Sequence, residues 1–146
     1  MNILKWAILI FIIIETLNVL MLYVAPGMKQ GNALGVFNAW HKAQEDEEMK
    51  SFVNYMAYWV AGAKLIFIFL GISVILWGNV EMQIATCGAM VISISSFFYK
   101  LYPIIKDMDK KGQIDPKGYS RILLAMILIF IGGFLTVFMI GFMKYL

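Results

Sequence analysis

The sequence predicts an all-α protein that crosses a membrane four times as a helix bundle. Composition, run length and the placement of positive charge each point there. Hydrophobic residues make up 62% of the 146-residue chain and charged residues only 14%, with a mean hydropathy of +0.80. A soluble domain carries about 45–50% apolar and about 25% charged residues, so this chain has too little polar surface to clothe itself in water. Four stretches, 3–24, 52–77, 82–103 and 119–143, reach the roughly 20 mostly apolar residues that a spanning helix requires. The length permits one domain, taken as a single membrane domain over 1–146.

The first span opens after Lys5 and resembles a signal sequence only in that respect. Its apolar run exceeds the usual stretch of about 7–15 residues, holds Glu15 and Asn18, and precedes no small-x-small cleavage site, so a retained helix is expected. Pro26-Gly27 stops it, and loop chemistry continues to Gly31-Asn32. From Ala33 the residues favour helix, with Leu34, Phe37, Trp40 and Gln44 on one face. The expectation is a short interfacial helix or an extension of the second span. Gly78-Asn79 makes the turn into the third span, and Pro103 closes that span. Asp115-Pro116 reads as an N-cap followed by proline at the first helical position of the fourth.

Nine of the twelve Lys and Arg residues lie between spans one and two or between and beside spans three and four. Only Lys5 and Lys144 lie at the opposite ends. This bias predicts a multi-pass protein of the cytoplasmic membrane with both connecting segments, 25–51 and 104–118, in the cytoplasm and both termini outside. The aromatic residues agree: Trp6, Trp77 and Tyr145 mark the outer border, and Tyr23, Tyr55, Tyr99, Tyr102 and Tyr119 the inner one.

Net charge of +3 and a pI near 9.0 do not imply nucleic acid here, because the lysines cluster beside apolar runs as positive-inside loops do. One cysteine, Cys87, excludes an intramolecular disulfide and a cysteine metal cage, and its apolar setting predicts a packing residue. His41, Glu45 and Glu48 share a helical face but lack a fourth ligand, so neither metal nor cofactor is expected. The only histidine lies outside the spans and no glycine-rich phosphate loop precedes a helix, so no enzyme is expected. The acidic run 44–48 and the basic run 106–117 fall on one side, where two solvated faces are the favoured reading and mutual pairing the other. Lys106, Lys110 and Lys111 are the candidate contact residues for a partner.

Two charges stand out because they fall inside apolar spans. A charge at the bilayer centre costs at least about 2.5–3.5 kcal/mol. Glu15 lies nine residues before Val24, and Lys64 twelve residues after Phe52. At a rise of about 1.5 Å per residue these are depths of roughly 14 and 18 Å from the same border. Consecutive antiparallel helices therefore bring opposite charges to matching depth. Around them a polar or small stripe is expected on each helix: Asn18 beside Glu15; Asn54, Ala57 and Ala61 leading to Lys64; Thr86, Ala89, Ser93 and Ser96; and Gly132, Gly133 and Thr136. Glu15, Asn18, Lys64 and Ser93 are the candidate ion or substrate pathway.

Three uses of the pair compete at this level. It locks the register of two helices, relays a proton or cation in a small ion-coupled transporter, or pairs with a neighbouring subunit. The function expected is a small ion- or proton-coupled transporter or permease using Glu15 with Lys64. Four helices enclose little space, so transport implies a homo-oligomer. The alternative is a non-catalytic membrane subunit or scaffold of a larger complex, with the pair as a structural lock. Lipid bilayer and a second membrane chain are the expected partners.

Overall fold

Apolar runs in a helical register hide their backbone polar groups within one segment, the requirement for crossing lipid. The computed structural model describes residues 2–30 and 33–145. It contains α1 (Ile3–Val24), α2 (Asn38–Ala43), α3 (Glu47–Trp77), α4 (Val80–Ser95), α5 (Leu101–Lys110) and α6 (Tyr119–Tyr145). Among the described residues there is no β-strand, only one antiparallel bridge between Phe37 and Ile114. Four helical stretches are long and apolar enough to cross a membrane, α4 and α5 counting as one. The chain is thus an all-α four-helix bundle of membrane type.

Helix α1 is the hub. It packs along α3 on one side and meets α4 and α6 on the other, while α4 and α6 lie along each other. Its buried side chains Leu4, Ile8, Ile12, Asn18, Val19 and Leu22 follow a helical repeat down one stripe. The facing stripe of α3 is Ala57, Ala61, Ile68 and Gly71. Small residues let the backbones approach: a Cβ placed on Gly71 would fall 2.9 Å from Ile12 Cδ1. Cys87 is fully buried in the same apolar core, as a packing residue should be.

The terminal end is pinned by a polar chain that sequence reading passed over. Asn2 caps α1 by accepting from the Lys5 amide at 2.9 Å, and its amide group donates to Gln83 Oε1 at 2.9 Å. Gln83 in turn donates to the Gly78 carbonyl at 2.8 Å. Asn79 caps α4 through the Met82 amide, so the third helix starts at Val80 rather than 82.

Helix boundaries differ from expectation in three other places. The second long helix begins at Glu47, five residues earlier than predicted, because Asp46 accepts from the Met49 amide and acts as its N-cap. The third span does not run straight to Pro103. It breaks in a 3-10 turn at Ser96–Phe98, and Pro103 falls in the first turn of α5, where its missing N–H costs nothing. Pro116 does not open the fourth helix either: Asp115-Pro116 is a cis peptide and α6 starts at Tyr119.

The two connecting segments dock onto each other through backbone hydrogen bonds rather than through pairing of the acidic and basic runs. The Asn38 amide donates to the Gln113 carbonyl at 2.9 Å and the Asp115 amide to the Val36 carbonyl at 2.8 Å. Val36, Phe97, Ile105, Ile114 and Leu123 form an apolar core beneath this bridge. The ion pair across it joins Lys29 of the first segment to Asp115 of the second. Gly31-Asn32, part of the expected loop, lie outside the described residues.

Candidate functional site

Lys64 projects from the α3 stripe towards α1 between buried Ala61 and Ile68. Its Nζ donates to Glu15 Oε2 at 2.7 Å and to Asn18 Oδ1 at 2.6 Å. Glu15 and Asn18 are three residues apart on α1, so one helical turn presents both oxygens to one ammonium. The cluster is mostly shielded: the side chains of Lys64 and Glu15 are 25% and 21% exposed, and Asn18 is buried. The seam predicted on α3, running from Ala57 through Ala61 to Lys64, is the one that faces α1.

One crevice reaches this cluster. It has a volume of about 310 Å³ between α1, α3 and the first connecting segment, and its walls include Asn18, Leu22, Leu34, Phe52, Ala57 and Lys64. Glu15 is not part of its wall. Asn18 and Lys64 are the polar residues in an otherwise apolar lining.

Ser93, the fourth expected member, lies elsewhere. It lines a separate groove of about 570 Å³ between α3 and α4, together with Ser73, Thr86 and Ala89. The side of α4 that enters the core is Gln83, Ile84 and Cys87. The small stripe of α6 also stays outside the core, with Gly133 lining an open groove between α6 and α1. Gly132, Gly133 and Thr136 are exposed, and a Cβ on either glycine would meet nothing within 4 Å. Small residues on α4 and α6 were expected to line a polar interior. Their helices instead meet at other positions, where a glycine of one faces a large side chain of the other: Gly141 of α6 against Ile84 of α4, and Gly88 of α4 against Phe138 of α6.

The expected lysine trio divides. Lys106 and Lys110 line a wide cleft at the loop end, joined there by Lys117 and Arg121. Lys111 points to Asp107, one turn back on its own helix, at 2.6 Å. Asp109, which sequence reading left unassigned, organises this corner. It accepts from the Gly118 amide at 2.9 Å, the Ser120 amide at 3.0 Å and the Ser120 hydroxyl at 2.5 Å. An aspartate on α5 thereby caps α6, the role expected of Asp115.

The face expected to gather His41, Glu45 and Glu48 is interrupted, because α2 ends at Ala43 and α3 starts at Glu47. His41 Nε2 lies 3.1 Å from the Gly35 carbonyl oxygen. Among the described residues no three His, Cys, Asp or Glu side chains form a metal-binding group. No protein-family model matches the chain, and no curated protein or solved structure matches it.

Proposed function

We propose that this chain is a non-catalytic subunit or scaffold of a membrane assembly, with Glu15, Asn18 and Lys64 acting as a polar lock between α1 and α3. The observation that carries this is the engagement of the Lys64 ammonium by two α1 oxygens at 2.6–2.7 Å. A pair of this kind adds little net stability over apolar packing but specifies register and partner. Specificity is needed here because α3 rests chiefly on α1, and lipid offers no hydrophobic drive to hold two helices together. The open groove between α3 and α4 is consistent with completion by a second membrane chain. In this reading the chain sits in the cytoplasmic membrane with both connecting segments inside, following its lysine distribution.

A second reading, ion-coupled transport, is favoured by the crevice that reaches Asn18 and Lys64. In that case Glu15 binds and releases a proton or cation when Lys64 is displaced, and an oligomer supplies the remaining wall. One set of variants separates the two. Under the lock, Glu15→Lys and Lys64→Glu each destabilise the fold in detergent, and the double exchange recovers most of the loss. Under transport, Glu15→Gln abolishes pH-driven flux in vesicles. Extraction from native membranes in mild detergent is expected to yield a particle larger than one chain. A strict monomer refutes the subunit reading.

A further inference from the structure

The loop-end cleft carries more positive charge than the fold uses. It has a volume of about 860 Å³ and is walled by Lys106, Lys110, Lys117, Arg121, Asp109 and Leu124, with Tyr102 at its base. That size falls within the range of roughly 300–1,000 Å³ typical of small-molecule sites. Lys106 and Lys110 are one turn apart on α5, Lys117 lies in the turn before α6, and Arg121 lies in the first turn of α6. Docking α5 against α6 therefore gathers four cations, and like charges at this spacing repel.

The counter-charge within the cleft is insufficient. Asp109 is the one acid in the lining, and both its oxygens are engaged by Gly118 and Ser120 as the α6 cap. No ion pair engages any of the four cations among the described residues. Lys106 has only the Tyr102 ring, 5.8 Å away. Four positive groups against one carboxylate leave a strong local excess.

The excess of positive charge suits an anionic occupant, and the lining of the cleft continues onto apolar surface. Leu124 lines the cleft, and Leu128, one turn further along α6, is 53% exposed. Arg121, Leu124 and Leu128 thus form one continuous strip from charge to hydrocarbon. We propose that this cleft is a headgroup site for an anionic phospholipid, its phosphate held by Lys106, Lys110, Lys117 and Arg121 and an acyl chain lying along Leu124 and Leu128. Basic pockets between membrane helices on the cytoplasmic side bind such headgroups by the same physics.

The test uses the full chain purified in neutral detergent, titrated with short-chain phosphatidylglycerol, matched phosphatidylcholine and inorganic phosphate. Phosphatidylglycerol is expected to bind in preference to phosphatidylcholine, and equal concentrations of inorganic phosphate are expected not to displace it. At about fivefold per cation, Lys110→Gln with Arg121→Gln weakens that binding roughly 25-fold. Lys42→Gln with Lys50→Gln removes the same charge elsewhere and leaves it unchanged. The charge-conserving Lys110→Arg with Arg121→Lys retains it, which separates lost contacts from lost folding. Equal binding of the two lipids by the unaltered chain overturns the proposal, as does equal loss in the Lys42 and Lys50 control. Displacement by inorganic phosphate overturns the lipid assignment in favour of a free-anion site.

Discussion

Removing Lys64 tests whether the polar cluster couples α1 to α3. At 2.7 Å and an effective dielectric near 20, the attraction between the two charges is about 6 kcal/mol. Desolvating the two ions costs several kcal/mol each, so the pair as a whole is nearly neutral. Breaking it from one side is different. Lys64→Met leaves a carboxylate without its counter-ion, at a cost of about 3–5 kcal/mol for a buried pair. Lys64→Met should therefore cost about 3 kcal/mol. Glu15→Gln keeps an oxygen for the ammonium and loses the charge, a loss of about 2 kcal/mol. With both changes no ion is left buried, and the double variant should cost about 2 kcal/mol in all, giving a coupling near 3 kcal/mol. Reversible unfolding in mixed micelles of rising dodecyl sulfate content, followed by far-UV circular dichroism, measures all four corners of the cycle. Single losses that add to within about 0.5 kcal/mol refute direct coupling.

Two further substitutions probe the loop end. A Cβ on Gly35 would lie 1.9 Å from the Gly27 carbonyl oxygen and 2.7 Å from that of Met28. Both obstacles are backbone, so no rotamer change relieves them. Gly35→Ala should cost at least about 3 kcal/mol and speed hydrogen exchange at the Asp115 amide; unchanged exchange refutes the contact. Asp109→Ala removes the three hydrogen bonds that cap α6. A loss of about 2 kcal/mol is expected, with faster exchange confined to the first turn of α6. Uniform change along the helix would place the role of Asp109 elsewhere.

The long helices were legible because each carries about twenty apolar residues, and run length is a property of one segment alone. The Glu15 and Lys64 contact was legible for a related reason: consecutive helices joined by one segment share a border, so depth can be counted along the chain. Asn18 followed from helical spacing. The small stripe on α6 was misassigned because Gly132, Gly133 and Thr136 are equally suited to a helix interface within the chain and to an outward face. Only the packing partner decides, and α4 offers Ile84 and Cys87 to the other side of α6. Asp109 was invisible for a stronger reason. Its targets, Gly118 and Ser120, lie nine and eleven residues away, and nothing in local spacing joins a residue at the end of one helix to the first turn of the next.

The bundle is held by unlike means along its length, which bears on how it can move. At the terminal end Asn2, Gln83 and Gly78 tie α1 to the α3–α4 turn. At the loop end the two segments are joined by backbone hydrogen bonds over an apolar core. Between these fixed ends α3 meets α1 through small residues and the Lys64 cluster, with the groove towards α4 left open. Rotation of α3 about its own axis pulls Lys64 from both oxygens at once. The cluster therefore opposes rotation more than it adds to total stability. In the proposed subunit reading, that property keeps the same face of α3 towards a partner.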